Sequence, residues 1–160
     1  MDSVCMRKFG VVVIIFTLIT VLFGCGADKG ELYDSNKEIG KNGDSYTFVG
    51  RIGSQSKKHI DFSFKKFSGV QTQWLIEAKD NSAIELYYDA EIEKGDFKIV
   101  FVTPKQEVTH IAQNSSKGSF KVNTSNGKYR IKIVGRNAKG KIKMDLETKG
   151  VKRVSHPGDD

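Results

Sequence analysis

Hydrophobic and polar residues alternate with a period of two along most of the chain after residue 44. This alternation is the pattern of β-strands that have one buried and one exposed face. It is clearest over residues 141–147, where Ile142, Met144 and Leu146 alternate with charged residues. Further segments of the same kind lie at 46–48, 60–64, 84–88, 97–101, 120–122 and 129–133.

Residues 70–79 fit two elements, a strand with Trp74, Ile76 and Ala78 on one face or a short helix. Asn, Asp, Ser and Gly residues that favour tight turns separate the strand segments. These turn signals lie at 54–56, 68–69, 80–82, 94–96, 126–127 and 139–140. About eight strands without a long helical pattern predict an all-β fold, an antiparallel β-sandwich or jelly roll, whose apolar faces meet between two sheets.

Polar segments flank this predicted domain. Residues 25–43 are rich in Gly, Asp, Lys, Asn and Ser, which is the composition of a flexible linker. Residues 149–160 are also polar and end in Pro-Gly-Asp-Asp, so we expect a disordered tail. The β-domain is therefore predicted to cover residues 44–148.

The N-terminus has the pattern of a secretory signal peptide. Arg7 and Lys8 precede an uncharged apolar stretch over residues 9–23. This stretch is short for a bilayer core of about 30 Å. It still fits three interpretations: a lipoprotein signal, an ordinary signal peptide or a retained helix that barely spans.

The apolar stretch ends in Leu22-Phe23-Gly24-Cys25, which resembles the lipobox of bacterial lipoprotein precursors. Phe23 departs from the small or modest residue that is usual at its position. The resemblance implies cleavage between Gly24 and Cys25, loss of residues 1–24 and lipidation of Cys25. It also implies a protein held by its acyl chains on the outer, extracytoplasmic face of a bacterial cell membrane.

A second resemblance covers residues 95–134. An apolar strand that ends at a proline, GDFKIVFVTP (95–104), is followed by a Gly-x-Tyr strand, NGKYRIKI (126–133). This arrangement resembles the bacterial pre-peptidase C-terminal jelly-roll modules. The resemblance implies a jelly-roll domain that binds glycans or protein partners and has no catalytic role.

The charge of the chain is basic. The full sequence has 26 basic and 19 acidic residues, and removal of residues 1–24 leaves a net charge near +6. Two strands joined by a hairpin through residues 135–140 would place five cations on one exposed face: Lys128, Arg130, Lys132, Lys141 and Lys143. That face has two interpretations, a surface for lipid headgroups or an anionic wall polymer such as teichoic acid, or a solvated edge that resists pairing with other chains.

No pattern predicts a catalytic site, a cofactor or a metal centre. His59, His110 and His156 show no metal-binding spacing. The carboxylates over residues 89–96 are either oxygen ligands for calcium or, as we expect, a solvated loop. Cleavage before Cys25 leaves no second cysteine for a disulfide or a catalytic thiol.

Two aromatic residues bear on ligand binding. Tyr87 is predicted on the exposed face of its strand, where its ring could stack on a sugar. Trp74 is either a second ring of that site or, as we expect, part of the core between the sheets.

These features predict a lipid-anchored envelope protein that is not an enzyme and acts as a binding or accessory module. Its expected target is an extracellular polymer, the membrane surface or an unidentified protein partner. The first alternative is an inhibitor or immunity-type lipoprotein that captures one secreted protein, and a less favoured one is an envelope hydrolase. Nucleic acid is not expected as a partner of an exported protein.

Overall fold

The computed structural model describes residues 29–159. The predicted signal peptide, the lipobox and Cys25 lie outside the described residues. Two short helices precede eight strands: a 3₁₀ helix (Lys29–Asp34), α1 (Asn36–Gly40), β1 (Ser45–Val49), β2 (Ile52–Ser56), β3 (His59–Ala78), β4 (Ser82–Val102), β5 (Val108–Gln113), β6 (Ser116–Thr124), β7 (Gly127–Lys149) and β8 (Arg153–Ser155). No helix of residues 29–159 is long and apolar enough to cross a membrane.

All strand pairs in this range are antiparallel, and the central order is β1-β3-β7-β4-β5. β2 and β8 also pair with β3, and β6 pairs with β4. The prediction of an all-β antiparallel sandwich of about eight strands is therefore confirmed. Residues 70–78 are strand rather than helix.

Three strands run through both layers of the sandwich. β3, β4 and β7 are 20, 21 and 23 residues long, and the pairing register of each shifts near its middle. Such bulges bend a strand, and here they fold the sheet over on itself. The first layer contains β2, β6 and residues 59–64, 82–92 and 138–149. The second layer contains β1, β5, β8 and residues 69–78, 96–102 and 127–135.

Three of the predicted turns are bends inside these long strands. The signals at 68–69, 94–96 and 139–140 lie within β3, β4 and β7, and the signal at 54–56 lies in β2, whose turn is at residues 57–58. Gly95 shows why the turn prediction fails there. Its φ is +75°, and an added Cβ would lie 2.4 Å from the Asn137 carbonyl oxygen. Both a tight bulge and a turn can require a glycine of this kind, so the residue type does not distinguish them.

The main core lies between the two layers. The rings of Phe64 and Phe97 are 5.9 Å apart, and those of Phe101 and Phe120 are 5.4 Å apart. Trp74 is fully buried, and its Nε1 donates to the Lys57 carbonyl oxygen at 3.0 Å. Trp74 is therefore a core residue, as expected, and does not contribute to a surface site.

The N-terminal segment, residues 29–44, is folded against the outer surface of the second layer. Tyr33 and Ile39 are buried there against a group of valines, Val70, Val100, Val102 and Val134. The Ser35 side chain accepts a hydrogen bond from the Glu38 amide at 3.3 Å and caps α1. The predicted flexible linker is therefore wrong for residues 29–43, because its few apolar residues are enough to cover an apolar strip of the sheet.

The expected disordered tail is also partly wrong. β8 pairs with β3, and Val154 is buried. The two ring nitrogens of His156 lie at hydrogen-bond distance from the carbonyl oxygens of Gln73 and Ser56, 2.5 and 2.8 Å away. The tail therefore connects the second layer to β2.

Candidate functional site

The predicted basic face is divided by the bend in β7. This strand is continuous from Gly127 to Lys149, so no hairpin forms through residues 135–140. Lys128, Lys141 and Lys143 are exposed, whereas Arg130 and Lys132 are buried. The expectation that all five cations share one exposed face is therefore wrong.

Lys132 is held inside the protein by the N-terminal segment. Its Nζ donates to the carbonyl oxygens of Lys41 at 2.7 Å and Gly43 at 3.3 Å, and it lies 3.4 Å from Asp44 Oδ1. Burial lowers the pKa of Lys132, and the Asp44 carboxylate opposes that shift. The geometry gives Lys132 a role in attaching the segment to the sheet.

Arg130 is buried beside this contact. Its Nε and Nη1 atoms have no hydrogen-bond partner among residues 29–159, and burial lowers its pKa. Its position removes a second cation from the predicted exposed face.

Lys128 lies on the second layer, where its Nζ is 3.7 Å from Glu77 Oε1. Lys141 and Lys143 belong to a different surface, the outer face of the first layer. This face is formed by outward side chains of β3, β4, β6 and β7. The register places Lys143 between Asp61 and Asp89, and Lys141 Nζ lies 3.8 Å from Asp61 Oδ1. The stripe of lysines visible in the sequence is therefore interleaved with carboxylates from neighbouring strands.

The same interleaving continues at the β6 edge. Lys117 Nζ lies 2.7 Å from Asp89 Oδ2, and Lys121 Nζ lies 3.2 Å from Glu85 Oε2. Five lysines of this outer face, Lys117, Lys121, Lys141, Lys143 and Lys149, are accompanied by six carboxylates, Asp61, Glu85, Asp89, Glu91, Asp145 and Glu147. The face is thus nearly neutral rather than basic, and it does not match an anionic polymer.

Tyr87 stands at the middle of this outer face. It is 41% exposed, and a hydrogen bond with the Glu85 carboxylate raises the pKa of its phenol. Glu85 is itself paired with Lys121, and hydrogen bonds to Lys121 and Tyr87 lower the pKa of Glu85. Tyr87 is therefore an exposed ring whose hydroxyl is positioned by neighbouring side chains.

A shallow open cleft of about 400 Å³ lies beside Tyr87. Asp89, Lys117, Lys143 and Asp145 line it together with the tyrosine. The cleft thus combines one exposed aromatic ring with hydrogen-bond donors and acceptors on three adjacent strands. This combination suits a polar ligand that lies flat on a sheet.

His59 extends this polar surface. Its Nδ1 lies 2.6 Å from Asp145 Oδ1. Asp145 is in turn the register partner of Tyr87 on β4. The alternation in the sequence places His59 on a polar face but does not reveal its partner, because Asp145 lies 86 residues away.

The other histidines and the acidic residues have separate partners. His110 Nε2 lies 3.4 Å from Asn36 Oδ1, and burial, with a further contribution from Lys98, lowers its pKa. Glu93 pairs with Lys139, and Asp96 pairs with Arg136. No cluster of three or more His, Cys, Asp or Glu residues in the described part of the chain could hold a metal ion.

No family model matches this chain, and no curated protein matches it. Among solved structures, the xylan-binding CBM22-1 domain of Xyn10C from Paenibacillus barcinonensis is similar, at 12% identity and a TM-score of 0.33. The alignment covers 71% of this chain and 85% of that domain. A TM-score of this size establishes neither a shared topology nor a shared ligand.

Proposed function

We propose that this protein is a lipid-anchored, extracytoplasmic binding module that attaches to an uncharged glycan through the outer face of its first layer. The observation that carries the glycan assignment is Tyr87, an exposed ring at the centre of a flat polar face. The hydrophobic face of a sugar ring packs on an aromatic side chain, and its hydroxyls take hydrogen bonds from the surrounding polar groups. Localisation and anchoring rest on the lipobox resemblance at Cys25.

The charge pattern supports an uncharged rather than an anionic polymer. Lys141 and Lys143 lie among carboxylates on β3 and β4. A polyanion such as teichoic acid would meet these carboxylates as well as the lysines, so it would gain little from the electrostatic field of this face. An uncharged sugar polymer can instead use both groups as hydrogen-bond partners.

The binding site is tested by measuring how much of the protein is retained on purified insoluble polysaccharides. One of these is cell-wall glycan from which teichoic acid has been removed. Tyr87→Ala should weaken binding by about 1–2 kcal/mol, which is the loss expected for a central aromatic contact. Tyr46→Ala is the matched control, because Tyr46 is 39% exposed on β1, away from this face. Equal losses in the two variants, or retention on teichoic acid alone, would contradict the glycan assignment.

Binding to an uncharged glycan should also depend weakly on salt, because it releases few counterions. Retention that falls steeply between low and high salt would favour a polyanion. Capture of one stoichiometric secreted protein by cross-linking on intact cells would favour the inhibitor or immunity-type function instead.

The anchor is tested separately by the intact mass of the protein purified from membranes. We expect an N-terminus at Cys25 that carries a diacylglycerol thioether. An unmodified Cys25 or a retained Met1 would contradict the anchor without affecting the glycan-binding assay.

A further inference from the structure

The edge of β3 carries a group of exposed apolar side chains. β1 and β2 pair with β3 in one continuous register, Val49 opposite Lys66 and Ile52 opposite Ser63. They form a single edge strand interrupted at residues 50–51. Within residues 29–159, the exposed large hydrophobic side chains are Tyr46 (39%), Val49 (55%), Ile52 (70%) and Tyr87 (41%). Three of the four therefore lie on this edge strand, in a stretch of seven residues from 46 to 52.

Cations surround these apolar side chains. Lys66 is opposite Val49 in the register, and the Lys65 side chain lies beside Gly50. Arg51 lies between Val49 and Ile52 in the sequence. We call the set Tyr46, Val49, Arg51, Ile52, Lys65 and Lys66 the edge corner. The sequence has no acidic residue over 45–60 or over 62–76.

The cations of the edge corner differ from those of the first-layer outer face. Among the described residues, no carboxylate forms an ion pair with Arg51, Lys65 or Lys66. The Arg51 guanidinium lies 4.1 Å from the centre of the Phe62 ring and donates to Gln55 Oε1 at 2.9 Å. These contacts hold the charge at the corner without neutralising it. Aliphatic side chains beside unpaired cations are the combination that an anionic bilayer surface attracts.

The path of the chain places this corner near the proposed anchor. Lys29 Nζ donates to the Tyr46 carbonyl oxygen at 3.0 Å. Cys25 precedes Lys29 by four residues, a length of chain that spans at most about 14 Å. Lipid on Cys25 would therefore bring the bilayer close to β1.

We propose that the edge corner docks on the anionic headgroups of the membrane that holds Cys25, so that the domain is attached at two points. This inference rests on the lipid anchor in the proposed function. Docking of a second copy at the same edge is disfavoured, because Gly50 with φ +62° interrupts the edge strand and two sets of cations would repel. A membrane contact needs no continuous row of free backbone groups.

A fluorophore on an introduced cysteine tests the contact. Ile52→Cys places it at the edge corner, and Ser125→Cys is the control. Ser125 lies just before β7, whose first residue is about 26 Å along the strand from the bend near residue 135, at roughly 3.3 Å per residue. Each protein is purified from membranes and reconstituted into vesicles of phosphatidylglycerol and phosphatidylcholine that contain a lipid-linked quencher. We expect several-fold stronger quenching at position 52 than at position 125, increasing with the phosphatidylglycerol fraction. Equal quenching at the two positions would overturn the proposal.

Charge removal gives a second measurement. The triple variant Arg51→Gln, Lys65→Gln, Lys66→Gln should abolish the difference in quenching, whereas Lys117→Gln, Lys121→Gln, Lys143→Gln should preserve it. Protection of position 52 that is independent of lipid composition and accompanies a cross-linked dimer would identify a second copy as the occupant and overturn the membrane assignment.

The anchor and the corner can fail separately. If mass measurement shows an unmodified Cys25, the anchor fails, and the corner is then judged by co-sedimentation of the protein with phosphatidylglycerol vesicles. Binding that the triple Arg51, Lys65, Lys66 variant weakens about 100-fold at low salt would support the corner. No binding would overturn it.

Discussion

The two ends of β7 have the same alternation in sequence and opposite surroundings in the structure. Lys132 and Lys143 both project from the outer surface of the sandwich, one from the second layer and the other from the first. Lys132 is fully buried under the N-terminal segment, whereas Lys143 is exposed among carboxylates. The comparison teaches that a period of two assigns a side chain to one side of a sheet, but another segment decides whether that side meets water.

The difference has an energetic consequence. A buried ammonium must recover its lost hydration from oxygen ligands, and Lys41, Gly43 and Asp44 supply them to Lys132. Ion pairs on an exposed face contribute about 0–1 kcal/mol each. Lys132 should therefore matter to stability, while the first-layer lysines remain available to a ligand.

We expect the largest loss of stability from a change in the apolar contact beneath the N-terminal segment. Ile39→Ala should lower the free energy of unfolding by about 3 kcal/mol, because Ile39 is fully buried. Ile52→Ala is the control, and it should cost less than about 0.5 kcal/mol because Ile52 is largely exposed. Denaturant unfolding measures both, and equal values would mean that the segment adds nothing to the folded domain.

A smaller effect is expected from the cation itself. Lys132→Met should cost about 2 kcal/mol, because it leaves the Lys41 and Gly43 carbonyl oxygens without their donor and Asp44 without its cation. Lys143→Met on the same strand should cost less than about 0.5 kcal/mol. If the two variants lose the same stability, the contrast between the ends of β7 is wrong.

The pH dependence of Lys132→Met gives an independent test. Burial lowers the pKa of Lys132 below its ordinary 10.5. In the alkaline range below 10.5 the unfolded chain therefore binds more protons than the folded protein. The stability advantage of the natural protein over Lys132→Met should rise with pH through that range, as denaturant unfolding at several pH values would show. A falling advantage would mean that the folded state favours the charged amine.

The smallest effect concerns the exposed face. The Glu85 carboxylate raises the pKa of Tyr87 by accepting its hydrogen bond. Glu85→Gln should therefore lower the pKa of Tyr87, so that tyrosinate forms at a lower pH in an ultraviolet titration. Glu147→Gln makes a smaller change, because Glu147 contributes less to the same shift. An unchanged titration in Glu85→Gln would show that the ring is not positioned by Glu85.

Much of the fold follows from local pattern. The alternation over residues 60–64, 84–86 and 142–146 predicts inward faces that the structure confirms. The bends were not predictable, because Gly69 and Gly95 serve equally in a turn or in a bulge of a continuous strand. Composition predicts a linker for the N-terminal segment, because Leu32, Tyr33 and Ile39 are too few to form a periodic pattern.

The candidate site was only partly visible in the sequence. The exposure of Tyr87 follows from its strand and is confirmed. The neutralisation of Lys141 and Lys143 depends on which strands flank β7, and that is a property of topology. The same is true of His59 and Asp145, which meet only because β3 and β7 are neighbours.

The bent strands also determine how the domain comes apart. β3, β4 and β7 each supply backbone hydrogen bonds to both layers, so neither layer can melt and leave the other with complete strands. Partners such as His59 and Asp145 meet across 86 residues of chain, and such distant pairing makes folding slow. We therefore expect hydrogen exchange to show one cooperative unit spanning both layers, with millisecond-to-second folding and no separately stable half.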